Sequence, residues 1–262
     1  MSTRRRLKQF VYLGAFIAIV VVIILLISAA AIIPKPGSAP TTTPIAYSPI
    51  VLEKATAIPH ILPSGATRVD IVVQLRNPNA RAGVGSYPVS VTLIDPSGQE
   101  ISTRQEETFL LPGALQYLIL TDVSVPRQSS VSQVVVDTPD APEFIEVPPS
   151  VPIPQFQTFL RGRTEKRVGA EVIETQTGLV TNDSTFAWNE VQVSVVALNS
   201  DREIIATGKT FLGTLTAGEQ REFIVQWPKS SQPIQQVIAV PSTNMFSEEN
   251  IVEILGNPES LR

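Results

Sequence analysis

From residue 50 onward, apolar and polar residues alternate along this chain with a period of two. Val89, Val91 and Leu93 alternate with Ser90 and Thr92, and Val191, Val193 and Val195 alternate with Gln192 and Ser194. Phe223, Val225 and Trp227 likewise share one parity. Successive side chains of a strand point to opposite faces, so this pattern predicts strands with one buried face. The residues are largely β-branched, which suits a pleated, half-buried surface. Turn formers punctuate the strands at Asn77-Pro78-Asn79, Pro96-Ser97-Gly98, Pro112-Gly113, Asn182-Asp183-Ser184 and Ala217-Gly218. The helical period is almost missing from this part of the chain. Ser247 could cap one short helix running to Leu255, with Glu248 and Glu249 in its first turn and Gly256 at its end.

The N-terminal pattern is different. Val11 to Ile33 are twenty-three consecutive residues without an Asp, Glu, Lys, Arg or His side chain. At about 1.5 Å per residue, a helix of this length covers the roughly 30 Å hydrocarbon core of a bilayer. Arg4, Arg5, Arg6 and Lys8 precede it, and Lys35 is the first charge after it. Basic flanks stay in the cytoplasm, so residues 1–10 are expected inside as a basic tail and the rest outside. The competing reading is a cleaved signal peptide, with Ser28-Ala29-Ala30-Ala31 as the small residues at its cleavage site. Signal h-regions run about 7–15 residues, and the greater length here favours an uncleaved single-pass anchor in the cell membrane. Gly14 and Ala18 form one small-xxx-small pair, more simply read as lipid-facing than as a helix contact.

Two proline-rich stretches divide the remainder of the chain. Residues 34–49 carry Pro34, Pro36, Pro40, Pro44 and Pro49 with Thr41, Thr42 and Thr43, and read as a stiff extended spacer. Residues 148–155 include Pro148, Pro149, Pro152 and Pro154; proline at that density joins neither ladder nor helix, so this is a linker. The expected layout is a first β-sandwich domain over 50–147, a second over 156–247 and a tail over 248–262. The two domains look like copies. Asn77 corresponds to Asn182, Val91 to Val195, Ile101 to Ile204, Gly113 to Gly218, and Gln133-Val134-Val135 to Gln236-Val237-Ile238. These pairs lie about 104 residues apart, the length of one sandwich domain. Many short strands without interleaved helices argue an all-β sandwich architecture.

The stretch Val91-Thr92-Leu93-Ile94-Asp95-Pro96-Ser97-Gly98 resembles the FxLYD domain, named for Phe-x-Leu-Tyr-Asp and commonly followed by a glycine turn. Leu93, Asp95 and Gly98 match, while Val91 and Ile94 replace the two aromatic residues. Asn77-Pro78-Asn79 resembles the turn of the late-embryogenesis-abundant type 2 (water-stress) domain, a relative in fold. In the second unit, Leu198-Asn199-Ser200-Asp201 keeps only the general form. The layout is similar to uncharacterised bacterial membrane-anchored envelope proteins with two such domains. The resemblance implies immunoglobulin-like or fibronectin-like sandwiches and brings no catalytic residues.

Charge and composition narrow the function. Four of the twenty basic residues precede the anchor and no acidic residue does, so sixteen positive and twenty-four negative charges come after it, a net of −8. An acidic exterior repels phosphate backbones, so no nucleic acid is expected as partner. There is no cysteine, which excludes thiolate zinc sites and cysteine nucleophiles and leans towards a bacterial or archaeal envelope. In that setting Asn182-Asp183-Ser184, formally a glycosylation sequon, reads as turn chemistry. The single histidine, His60, is expected at a loop or strand edge, since no second His or Cys could join it on a metal and no Gly-x-Ser-x-Gly elbow accompanies it. Glu106-Glu107 and Glu248-Glu249 are neighbours that a strand would point to opposite faces, so they read as solvated surface. Asp95-Pro96-Ser97-Gly98 and Asn199-Ser200-Asp201 are the nearest approach to a calcium loop, yet backbone turns explain them. Arg161-Gly162-Arg163-Thr164-Glu165-Lys166-Arg167 is the one basic cluster beyond the anchor and is expected as a solvated loop, with an anionic glycan or membrane surface as the other reading. Trp227 is expected in the core, and Trp188 is left open between core and partner anchor.

The sequence thus designates no catalytic, cofactor-binding or metal-binding residue and no cofactor. It leads to the expectation of a non-catalytic, membrane-anchored extracytoplasmic protein whose sandwiches bind or position a protein partner. The alternative is a protective role in the envelope under water stress.

Overall fold

A computed structural model of the chain describes residues 46–62, 65–126 and 130–252. The expected anchor at Val11–Ile33, most of the spacer and residues 253–262 lie outside these, and among the described residues no helix is long and apolar enough to cross a membrane. The described part is all-β, with antiparallel sheets stacked in pairs as in a β-sandwich. The first strands are β1 (Val51–Ile61), β2 (Thr67–Arg76), β3 (Ala82–Ile94), β4 (Glu100–Leu110), β5 (Leu115–Val125), β6 (Gln133–Asp137) and β7 (Ile145–Glu146). They form one sheet in the order β1-β2-β5 and another in the order β4-β3-β6, with β7 also on β3. The remainder are β8 (Phe156–Val168), β9 (Glu171–Asn182), β10 (Ala187–Trp188), β11 (Val191–Leu198), β12 (Ile204–Leu212), β13 (Gln220–Pro228), β14 (Gln236–Ser242) and β15 (Ile251–Val252). Their sheets run β13-β9-β8, β12-β11-β14 and β10-β15.

The alternation read from the sequence sets the inward faces. Val89, Val91 and Leu93 of β3 are buried against Val69, Ile71 and Val73 of β2 in one core. Val191, Val193 and Val195 of β11 meet Phe223, Val225 and Trp227 of β13 in another. The internal likeness extends to register. Val91 lies opposite Arg104 and Val136, and its counterpart Val195 lies opposite Gly208 and Ala239.

The outward faces depart from the one-sided burial expected. In β2 every residue from Val69 to Val73 is buried, and in β11 Ser194 and Val196 are buried as well. The reason is that sheet β1-β2-β5 packs against sheet β12-β11-β14. Ile58, Val72, Tyr117 and Ile119 from the first meet Val196, Leu198 and Ile204 from the second in a third apolar cluster. Polar contacts tie the same faces: Ser194 Oγ donates to the Tyr117 carbonyl at 3.2 Å, and Gln116 Nε2 donates to Ser242 Oγ at 3.2 Å.

Glycine is required where Phe246 packs onto β3. Gly83 and Gly85 of β3 lie under the ring of Phe246, and Asn244 Nδ2 donates to the Gly85 carbonyl at 2.9 Å. A Cβ on Gly83 would stand 2.6 Å from the Leu110 carbonyl oxygen and closer still to the Phe246 ring. Gly83→Ala is therefore expected to destabilise the fold by about 1–3 kcal/mol through overpacking. Equilibrium denaturation checks this, and Phe246→Ala in the same background should recover only the part due to the ring.

The expected helix from Ser247 to Leu255 is corrected. Only Glu248–Asn250 form a 3₁₀ turn, Ser247 makes no side-chain cap, and the chain continues as β15. Tertiary hydrogen bonds override the local propensity. Asn250 Oδ1 accepts from the Glu190 amide at 2.6 Å, Asn250 Nδ2 donates to Thr243 Oγ1 at 2.5 Å, and β15 pairs with β10. The start of the expected C-terminal tail is thus held in place.

Candidate functional site

The strongest local chemistry lies in the turns. Asn77 ends β2 with its side chain buried; its Nδ2 donates to the carbonyls of Ala82 (2.7 Å) and Leu111 (3.0 Å), and its Oδ1 accepts from the Asn79 amide. Asn182 does the same at the end of β9. Its Nδ2 donates to the carbonyls of Phe186 (2.8 Å), Leu215 (3.0 Å) and Thr216 (3.2 Å), and its Oδ1 accepts from the Ser184 amide. The side chain of the sequon asparagine is therefore buried and consumed by structure.

The second duplicated device is the Asp95 turn. Asp95 Oδ1 accepts from the Ser97 amide (2.8 Å), Ser97 Oγ (2.6 Å) and the Gln99 amide (2.9 Å), with Gly98 at φ 83°. These bonds, the Ser97 hydroxyl first, hold the Asp95 carboxyl below its ordinary value. Asn199 Oδ1 accepts from the amides of Asp201 (3.0 Å) and Glu203 (2.9 Å) in the matching turn, so the second unit keeps the geometry that its sequence disguises. Arg202 stands there at φ 60°, a left-handed position where glycine was the expected signal. Both turns are occupied by their own amides, as the sequence led us to expect. Because the folded Asp95 pKa is depressed, its contribution is present above the unfolded value near 3.8 and is lost as pH falls below it. The melting-temperature difference between wild type and Asp95→Asn should accordingly shrink between pH 5 and pH 3, with Asn tolerated as it is at position 199.

The remaining candidates are placed by their strands. His60 lies in β1, mostly buried, with Nε2 2.9 Å from Asp70 Oδ2; Asp70 Oδ1 in turn accepts from the Asp122 amide at 2.9 Å. This pair borders the apolar contact between the two facing sheets, an environment that the position of His60 between Pro59 and Ile61 did not reveal. At the same contact, burial and then the charge of Glu53 push the Tyr117 hydroxyl up. Trp188 is settled as core: it is 2% exposed and its Nε1 donates to Ser184 Oγ at 3.2 Å. Trp227 is 1% exposed and donates to Glu174 Oε2 at 2.9 Å. The cluster Arg161–Arg167 is corrected from a loop to part of strand β8, exposed along its length. Lys229 reaches Glu165 at 2.7 Å and Arg161 lies 3.6 Å from Glu222.

Two clefts open between the strand sets. One, of about 460 Å³, gathers Glu106, Glu107, Glu190 and Glu249 with Lys209 and the half-exposed Phe211. Among the described residues no three His, Asp or Glu side chains are placed to share a metal ion. The other, of about 790 Å³, is bounded by β1, the start of β6, the start of β12 and the segment following β13. Lys54–Ile61 line it without a gap. An alternating strand face would contribute every second residue, so the backbone edge of β1 itself borders this cleft.

No family model matches the chain, and no curated protein matches it. Among solved structures it is similar to the crystal structure of red sea bream transglutaminase, at 11% identity and a TM-score of 0.21, over 72% of this chain and 29% of the transglutaminase. A likeness of that size carries no argument about activity.

Proposed function

We propose that the chain is a single-pass membrane protein that presents two tandem immunoglobulin-like sandwich domains outside the cell membrane, where they bind or position a protein partner without catalysis. The observation that carries this reading is the uncharged run Val11–Ile33 with Arg4, Arg5, Arg6 and Lys8 before it. The proline-rich spacer after it lifts the sandwiches off the bilayer. The division into two domains is supported by the paired asparagine networks at Asn77 and Asn182 and by the paired turns at Asp95 and Asn199. Leu93, Asp95 and Gly98 support kinship with FxLYD domains, and the Asn77 turn supports kinship with the water-stress domain.

The absence of cysteine makes topology directly measurable. Asp201→Cys places a single thiol at an exposed turn, where the Asp201 backbone amide and not its carboxylate bonds to Asn199. A membrane-impermeant maleimide should label it in intact cells or spheroplasts, with the chain retained in the membrane fraction after alkaline washing. Labelling only after lysis would overturn the outward topology. Release of the chain by alkaline washing would overturn the anchor.

A further inference from the structure

We infer that the 790 Å³ cleft beside β1 is a docking groove for an extended segment of another protein, which adds as a strand to the β1 edge. This deepens the binding role proposed for the sandwiches and rests on it for the biological setting, though the geometry stands by itself. Among the described residues β1 is the terminal strand of its sheet, with a ladder on one side of its backbone only. Pro59 shows which residues face the other side. Proline has no N–H and belongs where the missing donor would point away from the ladder. Within the regular register from Lys54 to Ile61, Ala55 and Ala57 share its parity. Their N–H and C=O groups therefore point into the cleft, while those of Thr56 and Ile58 pair with β2. An unpaired edge is normally blunted by charge, proline or a covering element. Ala55-Thr56-Ala57-Ile58 has no charge and no proline, and the cleft leaves it room.

A second observation points the same way. Thr56 Oγ1 is buried and has no hydrogen-bond partner, the one such side-chain atom among the described residues. Buried hydroxyls are nearly always satisfied, and this unmet one belongs to a residue that lines the cleft. The groove also sets the chemistry of its occupant. Val131, Val134 and Ile204 supply apolar wall, and Ile58 and Ile204 make the groove continuous with the apolar contact between the two sheets. Lys54 stands at one mouth without an ion pair among the described residues. The segment that fits is about five residues long, apolar and β-branched at its centre, with a carboxylate placed to meet Lys54. Main-chain hydrogen bonds to the edge supply affinity and the alternate side chains supply selectivity.

The test uses the full chain in lipid nanodiscs, panned against a displayed library of random linear peptides. An enriched peptide is then synthesised and its binding followed by calorimetry and amide hydrogen exchange. The expected result is enrichment of extended β-branched sequences carrying an acidic residue. The Ala55 and Ala57 amides should exchange fast in the free protein, and binding should slow them. Ala57→Pro deletes one open-side donor and spares the β2 ladder, as Pro59 already does, so affinity should fall more than tenfold with circular dichroism unchanged. If that variant does not fold, the exchange data on the wild-type chain decide. No enrichment, protection elsewhere, or full affinity in a folded Ala57→Pro variant would overturn the inference. Concentration-dependent protection of the same amides without peptide would also overturn it, because the occupant would then be a second copy of this chain. Binding to purified protein is independent of membrane topology, so failure here leaves the cysteine-labelling result standing, and the reverse also holds.

Discussion

Trp227→Ala will lower the stability of the protein by about 3–5 kcal/mol, the range for deleting a fully buried large aromatic side chain. The ring packs in one core with Val195, Phe223 and Val225 and is 1% exposed. A second cost falls on Glu174, itself 5% exposed, whose Oε2 accepts the indole N–H at 2.9 Å. Removing the donor leaves a buried carboxylate short of a partner, and a buried charge without one is expensive. Two further variants separate the costs. Trp227→Phe keeps most of the ring volume and loses only the donor, so it should cost about 1–3 kcal/mol, the penalty of one orphaned buried group. Glu174→Gln keeps an acceptor and removes the charge, so it should be milder than Trp227→Phe. Circular dichroism in a urea series is the right probe, because the substitution removes one of only two tryptophans. A Trp227→Ala variant within about 1 kcal/mol of wild type would show that the core closes over the void.

Asn182→Ala has the next largest expected effect. Three carbonyls lose a donor at once, at Phe186, Leu215 and Thr216, and the Ser184 amide loses its acceptor. The Leu215 and Thr216 carbonyls keep amide donors from Trp188 and Glu219, so the cost falls mainly on the Phe186 carbonyl and the Ser184 amide. At about 1–3 kcal/mol for each group left unsatisfied, a loss of about 2–4 kcal/mol is expected. The same reasoning predicts a comparable loss for Asn77→Ala, which takes the Nδ2 donor from the carbonyls of Ala82 and Leu111, the latter keeping only the long 3.3 Å bond from the Ala114 amide, and the Oδ1 acceptor from the Asn79 amide. Asn182→Asp should be as damaging as alanine or worse, since it keeps the shape and turns a carboxylate oxygen towards carbonyl oxygens. Urea denaturation of the three variants in parallel checks this. An Asn182→Asp protein as stable as wild type would contradict the donor role assigned to Nδ2. The two asparagines lie more than a hundred positions apart and bond to separate sets of carbonyls, so the double alanine variant should show additive losses.

Much of the fold was legible because strands and turns obey local rules. The parity of Val89, Val91 and Leu93, of Val191, Val193 and Val195, and of Phe223, Val225 and Trp227 named inward faces correctly in three strands. Asn77 and Asn182, and Gly113 and Gly218 with φ of 66° and 73°, were visible as turn residues because backbone geometry selects those residue types. Less was legible at the candidate site. Trp188 could not be placed, since beside a turn nothing local distinguishes an indole that faces a core from one that faces solvent. Arg161–Arg167 looked like a loop because a fully exposed edge strand has no apolar parity to betray it. The turn at Asn199 was legible from its Asx residues, but its full likeness to the Asp95 turn was obscured by Arg202, which occupies a backbone position usually advertised by glycine. Nothing in Ala55-Thr56-Ala57 announced a groove, because an edge is defined by the strand that is missing beside it.

By itself, the sequence determined the all-β character of residues 50 onward, the inward parity of the main strands and the chemistry of the repeated turns. Each depends only on residues a few positions apart, where side-chain alternation and backbone preference act directly. Only the tertiary structure decided that β2 and β11 are buried on both faces, that Gly83 and Gly85 must yield space to Phe246, and that a cleft opens along β1. Those outcomes arise where residues far apart in the chain meet. A strand's outward face carries no local mark of its eventual cover, because that cover is contributed by segments about a hundred residues away, one sandwich unit along the chain.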